Sequence, residues 1–303
     1  MIKKPTLLIL GAGASAPYGY PTGKQLRDII LNNTLNSSVM RFYAFCGFDQ
    51  SLVKQFIQSL RKSASPSIDY FLEKRKEFIE IGKFAITKAL IQYENPDGLH
   101  IVDNWYQYLF NKLTENTTFD QFDKNNLKII TFNYDRSLEF FLVDTLQNLY
   151  GKSEKECWEK LKKIPIIHVH GQIGFLPFQE KNPIRQYFTM SDPTLVKESS
   201  KSIRIIHEEE LSNDEVFNVA YKLLVESEKI CFLGFGYHSI NLQRLKINTI
   251  LIEGREILGT SHGFTTKEKK AIESLSKDRI SLFPNGYNNY LILDFLRECV
   301  SFE

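Results

Sequence analysis

No apolar run in this chain of 303 residues approaches the roughly 18–20 residues that a helix needs to cross a bilayer. Cysteine is scarce: Cys46, Cys157, Cys231 and Cys299 are scattered, and no pair has C-x-x-C spacing. That spacing excludes a zinc clip and a thioredoxin-type site, and Cys231, inside an apolar run, reads as a small buried hydrophobe. Neither sign of charge dominates, because 38 Lys and Arg meet 36 Asp and Glu for a net charge of +2. Without a basic tail or an acidic tract, charge alone does not indicate nucleic acid. No internal repeat or low-complexity segment is present, and no cluster of carboxylates supports a nuclease. His207-Glu208-Glu209-Glu210 lacks the second histidine of H-E-x-x-H and reads as a solvated charge run. No metal is therefore expected.

The N-terminus imitates a secretory leader, with Lys3-Lys4, then TLLIL, then Ala14-Ser15-Ala16. Its apolar core spans only five residues, against the about seven to fifteen of a leader. It reads instead as a first strand. A hydrophobic fraction of 43%, with 13% aromatics, suffices for a substantial core. These features predict a soluble protein of a reducing, cytoplasmic compartment with no membrane segment.

What the chain does have is four short polar signatures, each just after a predicted strand. Residues 5–10 run into Gly11-Ala12-Gly13-Ala14-Ser15, and 127–132 into Asn133-Tyr134-Asp135. Residues 164–169 run into His170-Gly171, and 229–233 into Gly234-Phe235-Gly236. In an open parallel sheet, ligands bind outside the carboxyl ends of the strands, where strand order reverses. The pattern predicts an α/β fold: a Rossmann-like parallel sheet with helices on both faces, in a single domain over 1–303. Between about 34 and 126 only helical patterns occur, so a helical insertion is expected there. Short strands are expected at 203–206, 248–252 and 280–283, with helices at 153–162, 212–227, 266–275 and from about 288. The loop of about 175–200, with Pro177, Pro183 and Pro193, is long enough to suggest function.

Gly11 to Ala16 satisfies G-x-G-x-x-G/A after a strand, the arrangement that lets backbone amides approach a pyrophosphate. A dehydrogenase would need a second strand ending in an acid about 20 residues on. That window is Leu31-Asn32-Asn33-Thr34, at the edge of the helical stretch, which disfavours hydride transfer. Each signature has a plain structural alternative. The glycines could make an ordinary tight turn, Asn133 or Asp135 could cap the next helix, and a strand-end histidine is often structural. His168 alternates with His170 and reads as a core or supporting residue.

Taken in order, GAGAS with the following Pro21-Thr22-Gly23, the Asn-Tyr-Asp triplet, the His-Gly pair and FLGFGYHSINLQRL resemble the sirtuin-like family. The similarity is greatest to its NAD-consuming bacterial branch of anti-phage defence effectors. Ser67 to Leu72 (SIDYFL) and Gly259 to Gly263 (GTSHG) also resemble blocks of that branch, and the likeness spans about residues 5–275. The resemblance implies NAD+ as substrate, held at its phosphates by Gly11, Ala12, Gly13 and Ser15, with Thr22 beside them. It implies that Asn133 sits by the nicotinamide ribose and helps place water, and that Asp135 holds the carboxamide. His170 would be the base, Gly234 and Gly236 would line the adenosine side, and Glu253 would reach the adenine ribose.

Two departures from deacylating sirtuins matter. The four-cysteine zinc module is missing, and the phosphate loop continues as Pro21-Thr22-Gly23-Lys24 rather than Pro-Asp-Phe-Arg. The expected activity is therefore cleavage of NAD+ to nicotinamide and ADP-ribose, with a cyclic by-product in some turnovers. An NAD-dependent deacylase and a non-catalytic NAD or ADP-ribose scaffold are the alternatives. Unregulated cleavage would kill the host cell, so a homo-oligomer or a regulatory partner is expected, such as a ring-forming ATPase or an Argonaute-like sensor.

Overall fold

Every residue of strand β1 (Thr6–Leu10) is buried, as expected of a strand covered on both faces. In the computed structural model it is the third strand of a six-stranded sheet. The others are β2 (Leu127–Thr131), β3 (Ile166–His168), β4 (Lys229–Leu233), β5 (Glu256–Thr260) and β6 (Ser281–Phe283). The order is β3-β2-β1-β4-β5-β6 and every pairing is parallel. That is the doubly wound order, whose reversal point lies between β1 and β4. The structure describes residues 1–33, 36–101, 104–188, 192–205, 214–249, 254–284 and 290–302.

Helix α1 (Gly23–Asn33) follows β1, and α2 (Ser37–Phe45), α3 (Gln50–Lys62), α4 (Ile68–Lys74), α5 (Ile79–Ile91) and α6 (Trp105–Thr114) fill the expected insertion. Their starts are written locally. Asn36, Asp49, Ser67 and Asn104 each accept a hydrogen bond from a first-turn backbone N–H, a cap that contributes about 1 kcal/mol. In α3 the buried Val53, Phe56, Ile57 and Leu60 fall at helical spacing on one face.

Helices α7 (Ser137–Tyr150) and α8 (Glu154–Leu161) join β2 to β3; α9 (Pro193–Ser200) and α10 (Glu215–Val225) precede β4. Then come α11 (Ser239–Arg244), α12 (Thr266–Leu275) and α13 (Ile292–Cys299). The alternation of β1 divides the core. Leu7 and Ile9 join a cluster with Phe217 and Leu224 of α10 and Ile272 of α12. Leu8 and Leu10 join the larger cluster with Ile30 of α1, Phe84 of α5, Leu142 of α7 and Phe295 of α13. Helices thus cover both faces, as the sequence predicts.

Two expectations need correction. The fifth strand described is Glu256–Thr260; of the expected 248–252, residues 248–249 belong to the 3-10 turn Ile247–Thr249 and 250–252 lie outside the described residues. Of 203–206, only Ile203 pairs, in one antiparallel bridge with Gly171, and Ile206 lies outside the described residues. The glycine turn runs into two 3-10 turns, Ala12–Ala14 and Ala16–Tyr18, and the first α-helix starts at Gly23. Among the described residues no helix is long and apolar enough to cross a membrane.

Candidate active site

The ends of β1 and β2 are joined by side chains. Asn133, two residues past β2, donates from Nδ2 to the Gly11 carbonyl at 2.9 Å and to Ser15 Oγ at 3.0 Å. Ser15 donates in turn to Asp135 Oδ2 at 2.7 Å. Asp135 also accepts from the Ser137 N–H at 3.2 Å and from the Ser137 hydroxyl, which fixes the first turn of α7. Asn133, Asp135 and Ser15 are all buried. Burial pushes the Asp135 carboxyl above the usual range, and its bonds from Ser137 and Ser15, with the charge of His168, pull the other way.

His168 closes β3 onto this group. Its Nδ1–H donates to the Asn133 carbonyl at 2.9 Å and its Nε2–H to Glu139 Oε1 at 2.6 Å. Both ring nitrogens face acceptors, a geometry that only the imidazolium satisfies. Burial opposes that charge most strongly. The Glu139 carboxylate, its hydrogen bond, the Asn133 carbonyl and Asp135 together outweigh burial and raise the pKa. His168 is a supporting residue, as its alternation with His170 suggests.

His170 lies just beyond β3, also buried, between the rings of Phe132 at 5.6 Å and Tyr134 at 6.1 Å. Its Nδ1 has no hydrogen-bond partner, and neither has Asn133 Oδ1. Burial lowers its pKa first of all, Asp69 works against this and Arg244 with it, so the imidazole is neutral at pH 7. A buried neutral imidazole can accept a proton. A buried carboxamide oxygen with nothing bound to it can hold a water or a hydroxyl.

The two glycine turns meet backbone to backbone. The Gly11 N–H donates to Leu233 O at 3.0 Å and the Gly13 N–H to Gly234 O at 2.9 Å. A Cβ on Gly13 would lie 2.8 Å from Gly234 Cα, and one on Gly234, whose φ is +56°, would lie 2.2 Å from the Ala14 nitrogen. The Ala14 and Ser15 amides also bond within the turn, to Gly11 O and Ala12 O. These glycines thus join β1 to β4 at the reversal point; two of the turn's N–H groups make that join and two more bond within the turn. Of Gly11, Ala12, Gly13 and Ser15, three thus have their N–H groups bonded to backbone carbonyls.

Of the other expected ligands, two have local partners. Thr22 caps α1 through Gln25, its N–H and hydroxyl donating to Gln25 Oε1 at 2.8 and 2.9 Å. Gly236 faces the His238 ring, and Glu253 lies outside the described residues. A cleft of about 500 Å³ opens beside Ala16, Tyr20, Pro21, Gln25, Asp28 and Tyr93. Neither Asn133 nor His170 lines it. Tyr20, in its wall, meets the Tyr187 hydroxyl at 2.9 Å, and Asp135 is among the charges acting on it. The cleft therefore abuts the site through Tyr20.

Several buried charges escape sequence reasoning. Glu139 sits on the apolar face of α7 with Leu138, Phe141 and Leu142; a lone acid on such a face was the available signal. Glu94 is gripped by Arg136 and Arg185, every side chain fully buried. Arg136 follows the Asn-Tyr-Asp triplet directly, so this triad braces β2 against the loop carrying Arg185. Among the described residues no group of three His, Cys, Asp or Glu side chains is placed to hold a metal ion. Neither a protein-family model nor a curated protein matches this sequence.

Proposed function

We propose that the chain is an NAD+ glycohydrolase that splits NAD+ into nicotinamide and ADP-ribose, acting as an effector of anti-phage defence. The observation that carries this reading is the pairing of Asn133 with the Ser15–Asp135 couple. Next to it stand two buried polar atoms, Asn133 Oδ1 and His170 Nδ1, that have no partner in the protein. Buried polar groups are almost always satisfied. Two exceptions at adjoining strand ends suit groups whose partner is a ligand.

The reaction asks little acid catalysis of the protein. The ribosyl C1′–N bond breaks with its electron pair going to nicotinamide, which leaves neutral, and the sugar gains oxocarbenium character. Water then adds to C1′ and gives up a proton, yielding ADP-ribose. Asn133 would orient the ribose and that water, and neutral His170 would take the proton. Asp135, held by Ser15 and Ser137, would fix the carboxamide and lend negative charge beside the developing cation. His168, bonded to the Asn133 carbonyl, would keep Asn133 in place.

Incubating the purified protein with NAD+ and identifying products tests the reading. Nicotinamide with ADP-ribose supports it. Acyl-ADP-ribose formed with an acyl-lysine peptide would instead reveal a deacylase, and binding without turnover a scaffold. Control of the activity is assigned to self-association or to a partner protein. A constitutively active monomer would count against that.

A further inference from the structure

The surroundings of His170 are not made by strand ends alone. Tyr134 donates its hydroxyl to the Asp69 carboxylate on α4, and its ring flanks the imidazole. The backbone on either side is pinned: the Ile173 N–H donates to Tyr134 O at 3.0 Å, and the Arg204 N–H to His170 O at 2.8 Å. Three charged groups act on the ring from three segments, namely Asp69 of α4, Arg244 of α11 and Arg204 beyond α9. Both cations are answered elsewhere. Arg244 pairs with Glu73, one turn along α4 from Asp69, at 2.7 Å, and Arg204 pairs with Asp214 at 2.7 Å. Asp69 is engaged by a neutral phenol, which brings no positive charge to cancel that of the carboxylate.

We propose that Asp69 is a positioning residue for His170, acting through Tyr134, so that the helical insertion completes the site that the strand ends begin. The inference rests on the reading of His170 as the base. When His170 takes the proton of the attacking water, the charges of Arg244 and Arg204 oppose the new imidazolium. Asp69 is the anion that stabilises it against them. A simple latch between insertion and sheet would need no such placement, whereas this one descends on the ring beside a buried imidazole whose Nδ1 lacks a partner.

The test combines ¹⁵N-histidine NMR titration of the full chain with nicotinamide release as a function of pH, the His170 signal being assigned by its loss in His170→Ala. Asp69→Asn is expected to lower the His170 midpoint by about one pH unit. It should also reduce kcat/KM about tenfold, mainly through kcat. Tyr134→Phe keeps the carboxylate and removes the link, so it should move the midpoint by less in the same direction. A folded Asp69→Asn chain with unchanged titration and pH profile overturns the proposal. If that variant does not fold, an unchanged Tyr134→Phe does so. A wild-type chain that never cleaves NAD+, yet whose His170 midpoint responds to Asp69→Asn, refutes the glycohydrolase and leaves the arrangement standing. An active but unresponsive chain refutes the arrangement alone.

Discussion

Asn133 reaches from the end of β2 to the Gly11 carbonyl at the end of β1, 2.9 Å away. One amide proton thus ties a proposed catalytic group to a glycine turn 122 residues earlier in the chain. Because the same nitrogen serves Ser15, the amide plane is fixed and its oxygen is left for something else.

Asn133→Ala and His170→Ala should each reduce nicotinamide release at least about 100-fold, the lower range for losing a positioned acid–base group. The first variant also removes two hydrogen bonds, although the Gly11 carbonyl keeps the Ala14 N–H and the Ser15 hydroxyl keeps Asp135, so it should lose about 1–3 kcal/mol of stability. Chromatography of the products and denaturant unfolding separate the two effects. Full hydrolysis by both variants would remove the mechanism.

Two glycines of one turn should behave differently. Gly234 has a positive φ, and a Cβ there would press on the Ala14 nitrogen, so Gly234→Ala should cost more than about 2 kcal/mol. A Cβ on Gly236 meets only the movable His238 ring, at 3.3 Å, and Gly236→Ala should stay within about 1 kcal/mol. Equal urea midpoints for the two variants would contradict the backbone contact between turns.

Glu94→Ala leaves Arg136 and Arg185 buried without their carboxylate and should cost about 3–5 kcal/mol. Replacing all three members by apolar residues of similar volume should cost far less. Unfolding free energies of the single and triple variants decide this. A mild single variant would show that water reaches the guanidinium groups.

The neighbouring histidines should pull stability in opposite directions with pH. His168 has a raised folded pKa. Its contribution is full below the unfolded value of about 6.5 and is lost as pH rises through the folded value. His170 has a lowered one, so its contribution is present above about 6.5 and is lost as pH falls through the folded value. Urea unfolding between pH 5 and 9 should show Glu139→Gln flattening the alkaline loss and His170→Ala the acid one. Parallel curves for wild type and both variants would contradict these assignments.

The strands at 5–10, 127–132 and 229–233 were legible because each is a continuous apolar run ending in a glycine or a polar triplet. The fifth was not. Ile250 to Ile252 and Ile257 to Leu258 are both apolar and lie a few residues apart, and periodicity cannot choose between such runs. Site residues were readable where the backbone demands a residue type, as at Gly234. Glu139, Glu94, Asp69 and Arg244 were not, because a buried charge and an exposed one are spelled alike. Their partners lie on other elements: Arg244 meets Glu73 across 171 positions. The glycine turn was recognised by its pattern, yet its amides bond the neighbouring turn, a use that spacing alone cannot reveal.

The register Thr6↔Leu127 on one side and Thr6↔Lys229 on the other has a kinetic consequence. The strand made first during synthesis must wait for partners more than a hundred residues downstream, so no local hairpin can seed the sheet. Several of the intervening helices, which carry their own start signals, can form in the meantime. Assembly of the strand ends, and any chemistry housed there, is consequently a late event in the life of each newly made molecule.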